Sequence, residues 1–526
     1  MLRVFQDDLA EKDRFVITLE LVPGKESTGR AVDTVMGIAR DAFADGRVSA
    51  VSITDNPGGN PALSPDVLGY QIFKVGMDVI VHFTCRDLNR VGMESRALQL
   101  AMMGMKNILA LTGDYTGKGF GGQGAPVFDL DSVNLLIMLG MISDRMHRSG
   151  DPDGFFTGCA VSPFKRSEAE CFAQYAKLCR KTAAGARFVI TQLGYDAPKF
   201  QELTAVMHLM ERRPPVLGSV YLLNARAAAV MNRGKVPGAV VTDALLSRVQ
   251  AEWRAPRKGR AAAVERAAQL GAVLKGLGYK GMHLGGIHKD FATAGTVLDR
   301  MEAIEDRWQD FLPEFSFPQP DGFYAFRRDR DATAPPRFGR SAHHLSLSER
   351  IHFKLMRKSH HLFFEPASRL HPLWIRISRE LDRRSGGRTF ARWLEYIFKG
   401  PLLGCRQCGD CGIVHVAFLC PESRCPKHTR NGSCGGSLDG RCEVYPDKHC
   451  VWYRAYGRLA SIDRTHEIVN GCIPPRMWEL DRTSSWLNFH LGRDHQSAAT
   501  EIVRRCHARS CRLKPDTSQR ESNENH

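Results

Sequence analysis

No window of this sequence approaches the roughly 20 uninterrupted apolar residues a membrane helix needs, so no membrane partner is expected. The start, MLRVFQDDLAEKDRF, is acidic and polar without an apolar stretch, which does not suit a secretory leader. No strand-like run leads into a G-x-G-x-x-G turn, which argues against a dinucleotide-binding open sheet. A lysine-rich arm or an aromatic-plus-basic motif is also missing. The formal net charge of +16 rests largely on arginines spread over the middle and C-terminal segments. It reads as a solvated surface with some pull on a polyanionic ligand, and no nucleic-acid partner is expected. The chain is therefore expected to be soluble and cytoplasmic, and its oligomeric state is not legible.

Cysteine is dense in one place. Cys405, Cys408, Cys411, Cys420, Cys425, Cys434, Cys442 and Cys450 fall within 46 residues, while the other seven are scattered over the remaining 480. Thiolates are soft ligands, and a reducing compartment favours metal binding over a disulfide knot. Eight thiolates suffice for two four-ligand sites. The opening Cys-x-x-Cys-x-x-Cys fits an iron–sulfur (4Fe–4S) centre. The next cysteine, Cys420, lies nine positions on and departs from the ferredoxin spacing, which leaves zinc as the alternative. His415 and His428 lie inside the patch and read as surface histidines that could replace a thiolate.

At 526 residues and 43% hydrophobic content the chain can bury at least two cores. The first 290 residues alternate short β-rich runs with longer helix-like stretches. The runs are Phe15–Val22, Ala50–Thr54, Asp78–Cys85, Asn107–Leu111, Phe156–Val161, Phe188–Leu193, Pro215–Leu222 and Gly281–Leu284. Arg96–Met105, Glu168–Ala184 and Arg260–Leu277 are among the helix-like stretches between them. Eight such units predict an α/β fold, a (β/α)8 TIM barrel over 1–307, with a doubly wound sheet as runner-up. A Pro/Gly-rich connecting segment is expected over 308–344, a mostly helical, cysteine-rich metal-binding domain over 345–512, and a disordered tail over 513–526.

Active sites of such barrels lie at the carboxyl ends of the strands. Polar residues recur there: Glu20 inside ITLELVPG, Thr54 and Asp55, His82 and Thr84, Asp114 after LTG, and Gln192. Each has a plain alternative, a satisfied core histidine for His82 or a turn cap for Asp114, but their equivalent positions favour a common site. A carboxyl in an apolar strand is expected to have a raised pKa and to serve acid chemistry. TGKGFGGQG, Thr116–Gly124, lacks a GKS or GKT ending and reads as a mobile active-site loop.

The segments TLELVPG, VSIT, VHFTC, LALTGD and AGARFVITQ resemble the methylenetetrahydrofolate reductase family. The segments CRQCGDCG, CPESRCPKHTRNGSCGG and GRCEVYPDKHCVW resemble the cysteine-rich C-terminal domain named after it. The resemblance implies an FAD-dependent oxidoreductase that interconverts 5,10-methylenetetrahydrofolate and 5-methyltetrahydrofolate. It implies Glu20 as the general acid that protonates N10, Asp114 as the carboxylate near flavin and folate, and Gln192 as a folate contact. Thr54, His82, Thr112, Gly113 and Lys181 fall, with Asp114, where the family lines the flavin. Thr112 stands in place of an arginine, and Ser162 and Arg166 in place of a tyrosine and a histidine. Ala227 and Met231 stand where a glutamine and a phenylalanine hold folate and nicotinamide. These departures, with the appended cysteine domain, suggest a redox partner protein other than NAD(P)H. A catalytically silent electron-transfer or scaffold protein and a folate or corrinoid methyltransferase are the competing readings.

Overall fold

The computed structural model describes residues 5–326, 338, 345–469 and 471–508. Part of the expected connecting segment, 327–337 and 339–344, and all of the expected tail lie outside the described residues.

Eight parallel strands close into a barrel: β1 (Val16–Leu21), β2 (Val48–Ile53), β3 (Val79–Thr84), β4 (Asn107–Leu111), β5 (Phe156–Val161), β6 (Phe188–Thr191), β7 (Val216–Tyr221) and β8 (Gly281–Gly285). Each pairs with its chain neighbours, and β1 closes the ring on β8 with Thr18 opposite His283. The expected (β/α)8 barrel is the fold observed, and helices between the strands cover its outside.

A period of two sorts the side chains. On β1, Ile17, Leu19 and Leu21 point to the helices, and Val16, Thr18 and Glu20 point inward. The interior is apolar at the amino end of the strands. There the ring of Phe5, from the N-terminal helix Phe5–Ala10, stands edge-on to Phe188 (5.2 Å) and Phe156 (6.0 Å). Asp78 fixes that plug by accepting from the Phe5 N–H at 2.8 Å. Higher up the inward positions turn polar, with Thr18, Ser52, His82, Ser219 and His283 all buried. The floor is sealed, so any ligand space must open at the carboxyl ends.

The C-terminal region is helical, with long helices over Leu347–Phe363, His371–Arg383 and Ser385–Leu403 and a shorter one over Val451–Ala460. It packs on the barrel beside the Glu168–Ala184 helix, every residue of which is buried. The Tyr456 hydroxyl donates to Glu168 at 2.6 Å, and the Asn431 N–H donates to Asp131 at 2.9 Å. Asp131 already caps the Ser132–Arg148 helix, so one carboxylate ties a barrel helix to the cysteine-rich loops. No described helix is long and apolar enough to cross a membrane.

Candidate active site

A cavity of about 310 Å³ opens at the carboxyl ends of the strands. Glu20, Thr54, His82, Thr112, Gly113, Asp114, Lys181 and Gln192, singled out in the sequence, all line it. All but Lys181 come together because they sit on the upper part of their strands or just past them, and Lys181 reaches in from the Glu168–Ala184 helix.

Glu20 keeps 31% exposure, and its Oε2 lies 3.6 Å from His283 Nε2. His283, on the neighbouring strand, is steadied by Thr18 Oγ1 at 2.8 Å on its Nδ1. The raised carboxyl pKa expected from the sequence is corrected here. Burial pushes Glu20 up, but the neighbouring His283 pulls it further down. Glu20 is thus a carboxylate beside a histidine. His82 is buried, and burial pushes it down to about 4, so it is neutral.

Asp114 accepts from the Gly58 N–H at 3.0 Å, which holds its carboxylate at the rim. Gly113, at φ +89°, lets the chain turn against Thr84, where a Cβ would come within 3.0 Å. Thr112 donates to Ser132 at 3.3 Å. Lys181 donates to the Ala160 carbonyl at 2.6 Å, and burial lowers it to about 8. Gln192 donates to the Pro237 carbonyl at 2.9 Å and accepts from the Leu193 N–H at 2.8 Å, leaving one donor and one lone pair for a ligand. The Thr116–Gly124 segment forms a two-residue antiparallel ladder with Phe120 exposed at its tip, and Gly117 N–H bonds the Gly59 carbonyl at 2.9 Å.

Of the departing positions, Ser162 lines the cavity and donates to the Gly238 carbonyl at 3.2 Å. Arg166 points away, to the Pro320 carbonyl and Asp439. Met231 is buried, and neither it nor Ala227 lines the cavity.

The far wall comes from the cysteine-rich region. Lys427, Cys434, Gly435, Gly436 and Glu443 line the same cavity. Lys427 donates to the Gly113 carbonyl at 2.7 Å and forms an ion pair with Glu443. Lys165 holds the Gly435 and Ser437 carbonyls at 2.5 and 2.6 Å. His283 carried a legible sign, a polar residue in an apolar strand. Lys427 and Glu443 carried none, because only the tertiary fold brings them over 300 residues to the barrel mouth.

The eight clustered cysteines are all free thiols, and they sort into two sets of four. Cys425, Cys434, Cys442 and Cys450 surround a space of about 20 Å³. Cys405, Cys408 and Cys420 each lie within electrostatic reach of Cys411. Burial pushes Cys405 up to about 11 and Cys408 and Cys450 up to about 12. Among the described residues no three His, Cys, Asp or Glu side chains are gathered at metal-binding geometry. His415 is half-buried against His495, 3.0 Å between Nε2 atoms, and not the plain surface residue the sequence suggested.

A family model described as Methylenetetrahydrofolate reductase matches residues 5–301, and one described as Methylene-tetrahydrofolate reductase C terminal matches residues 392–479. A Caenorhabditis elegans protein, "Probable methylenetetrahydrofolate reductase (NADPH)", is 29% identical over 169 residues, 31% of this chain and 24% of its own length. "Methylenetetrahydrofolate reductase 1" of Schizosaccharomyces pombe is 28% identical over 193 residues, 36% of this chain and 30% of its own. The match thus spans less than a third of either relative. A Clostridium thermocellum protein described as binding two copies of 5-methyl-5,6,7,8-tetrahydrofolic acid aligns at TM-score 0.39 and 9% identity, over 57% of this chain and 99% of its own. At that level the alignment carries no argument.

Proposed function

The chain belongs to the methylenetetrahydrofolate reductase family, and from that premise we propose that it is a flavin-dependent oxidoreductase interconverting 5,10-methylenetetrahydrofolate and 5-methyltetrahydrofolate. Its electrons pass through the cysteine-rich region and not through a nicotinamide. One observation carries this reading: a single cavity has Glu20 and Asp114 on one wall and Cys434 on the other.

A flavin suits the ring end of this cavity. Thr54 Oγ1 and His82 Nε2 are buried there without a hydrogen-bond partner, and a polar heteroaromatic ring would supply one. Thr54, His82, Gly113 and Lys181 would hold it, and the bound group would supply the hydride chemistry. Glu20, beside His283, would pass a proton to N10 as the ring opens. Asp114 sets a negative charge at the rim that favours the iminium cation formed on the folate. Gln192 uses its spare donor and lone pair to orient the pterin. Cys425, Cys434, Cys442 and Cys450, and separately Cys405, Cys408, Cys411 and Cys420, would each hold an iron–sulfur centre, with zinc as the alternative. Four thiols per set, and a void ringed by the second set, are the donor chemistry such groups need.

Anaerobically purified protein should be yellow-brown and contain iron. Glu20→Gln should keep the flavin spectrum and lose folate turnover with a reduced viologen dye by about 10²–10⁴-fold. Near-normal turnover in that variant would remove Glu20 from the chemistry. Zinc without iron would remove the electron route.

A further inference from the structure

The Ser385–Leu403 helix is inside out. Its buried stripe, Ala391, Glu395, Lys399 and Leu403, carries an ion pair, with Lys399 donating to Glu395 at 2.8 Å. Its open face carries the aromatics: Phe390, Trp393, Tyr396 and Ile397 are 45–56% exposed. An amphipathic helix in a finished surface has the reverse arrangement. The neighbouring Leu347–Phe363 helix repeats the feature with Leu347, Ile351 and Leu355 exposed at successive turns. Both helices pack on the His371–Arg383 helix between them in the chain. The surroundings are basic. Residues 345–406 hold 13 Lys and Arg against 5 Asp and Glu, a net +8 that is half the charge of the whole chain.

We propose that this face is the docking site of a small acidic protein that carries single electrons. The proposal rests on the electron route above and names its partner. An apolar centre with a charged rim is the anatomy of a protein interface, and a basic rim asks for an acidic one. A second copy of this chain would set +8 against +8. The chain's own stretches 327–337, 339–344 and 509–526 are also net positive by sequence. An anionic lipid surface would answer the charge but not the location. The aromatic helix is capped by Gly404 and runs straight into Cys405, and its Lys399 reaches Cys411 Sγ at 3.5 Å. The first cysteine set therefore lies at the end of this face, while the second lines the barrel cavity through Cys434. Two carriers each give up one electron. With two protons, these reduce one 5,10-methylenetetrahydrofolate to 5-methyltetrahydrofolate, and the reverse reaction reduces two carriers.

The test uses the full anaerobic protein with two donors, a reduced acidic bacterial ferredoxin and the small dye benzyl viologen. Two double variants, Phe390→Glu with Trp393→Glu and Lys354→Glu with Arg357→Glu, should each lower ferredoxin-driven kcat/KM by at least about tenfold. Dye-driven turnover should stay unchanged, and the wild-type ferredoxin rate should fall as salt rises from about 50 to about 300 mM. Unchanged ferredoxin rates in both variants, or a wild type that the dye reduces and ferredoxin cannot, would overturn the docking site and leave the proposed function standing. A wild-type dimer that the aromatic variant dissociates would assign the face to a second copy. Vesicles of phosphatidylglycerol that bind wild type but not the variants, with ferredoxin rates unaltered, would assign it to lipid. Loss of dye-driven turnover in the wild type would remove both readings.

Discussion

The barrel and the cysteine-rich region bury their interiors in opposite ways. The barrel floor gathers Phe5, Phe156 and Phe188 under a ring of aliphatic side chains, and the inward strand positions turn polar toward the mouth. The cysteine-rich region instead buries charge. Asp410, 0% exposed, accepts from Arg430 at 2.7 Å and binds His495 Nδ1 at 2.5 Å, and Arg430 also reaches Glu422 at 3.0 Å. Burial would raise the Asp410 carboxyl, but Arg430 and His495 overcome it and hold it far below the usual range. A hydrophobic core degrades one methylene at a time. A buried ionic net fails when any member leaves, because the remainder keeps an unpaired charge. The two regions should therefore break differently.

The largest contrast comes from metal removal. A structural thiolate site stabilises its fold by on the order of 10 kcal/mol. Stripping iron or zinc with a chelator under anaerobic conditions should strip amide protection from residues 405–460 and leave β1–β8 protected. Hydrogen exchange read by mass spectrometry makes the comparison. Simultaneous loss from both regions would show one cooperative unit, and no loss would show that the thiols hold nothing.

Single substitutions give the next step. Arg430→Met strands Asp410 and should cost about 3–5 kcal/mol. Phe188→Ala opens the barrel floor and should also cost about 3–5 kcal/mol. The sizes match, but the locations should not. The first should expose the cysteine-rich region to limited proteolysis, and the second should lower the unfolding midpoint of the barrel. Equal proteolysis of both regions in Arg430→Met would erase the distinction.

The same contrast decides what the sequence could disclose. Strand alternation is a local signal, so the eight strands lie within two residues of the β-rich runs read from the sequence, and polar residues at equivalent strand ends all reach one cavity. The protonation of Glu20 was not legible. It depends on His283, which is remote in sequence and adjacent only because β1 pairs with β8. Lys427 and Glu443 were hidden for the same reason. In the cysteine-rich region the thiol spacing marked out the eight cysteines, but which of them lie near one another follows from loops that no periodicity describes. His415 looked like a surface residue because its partner, His495, lies 80 positions away.

The smallest effect sits where the two regions meet. Lys181 lies on the Glu168–Ala184 helix, between β5 and the cysteine-rich loops, with its ammonium on the Ala160 carbonyl. Burial, the largest influence, lowers it from 10.5 to about 8 in the folded chain. Below pH 8 the lysine is charged in both states, and the folded state carries the whole cost of enclosing it. Above about pH 10.5 it is neutral in both, and the cost is gone. Between these values the unfolded chain holds more protons, so this residue makes stability rise with pH. The shift corresponds to about 3 kcal/mol. Arginines and thiols nearby also titrate, so the difference between wild type and Lys181→Met isolates the effect. Urea unfolding from pH 7.5 to 10.5 should show the wild type gaining on the variant across that window. Parallel curves would mean that water reaches Lys181 and that the seam between barrel and cysteine-rich region is looser than its hydrogen bonds suggest.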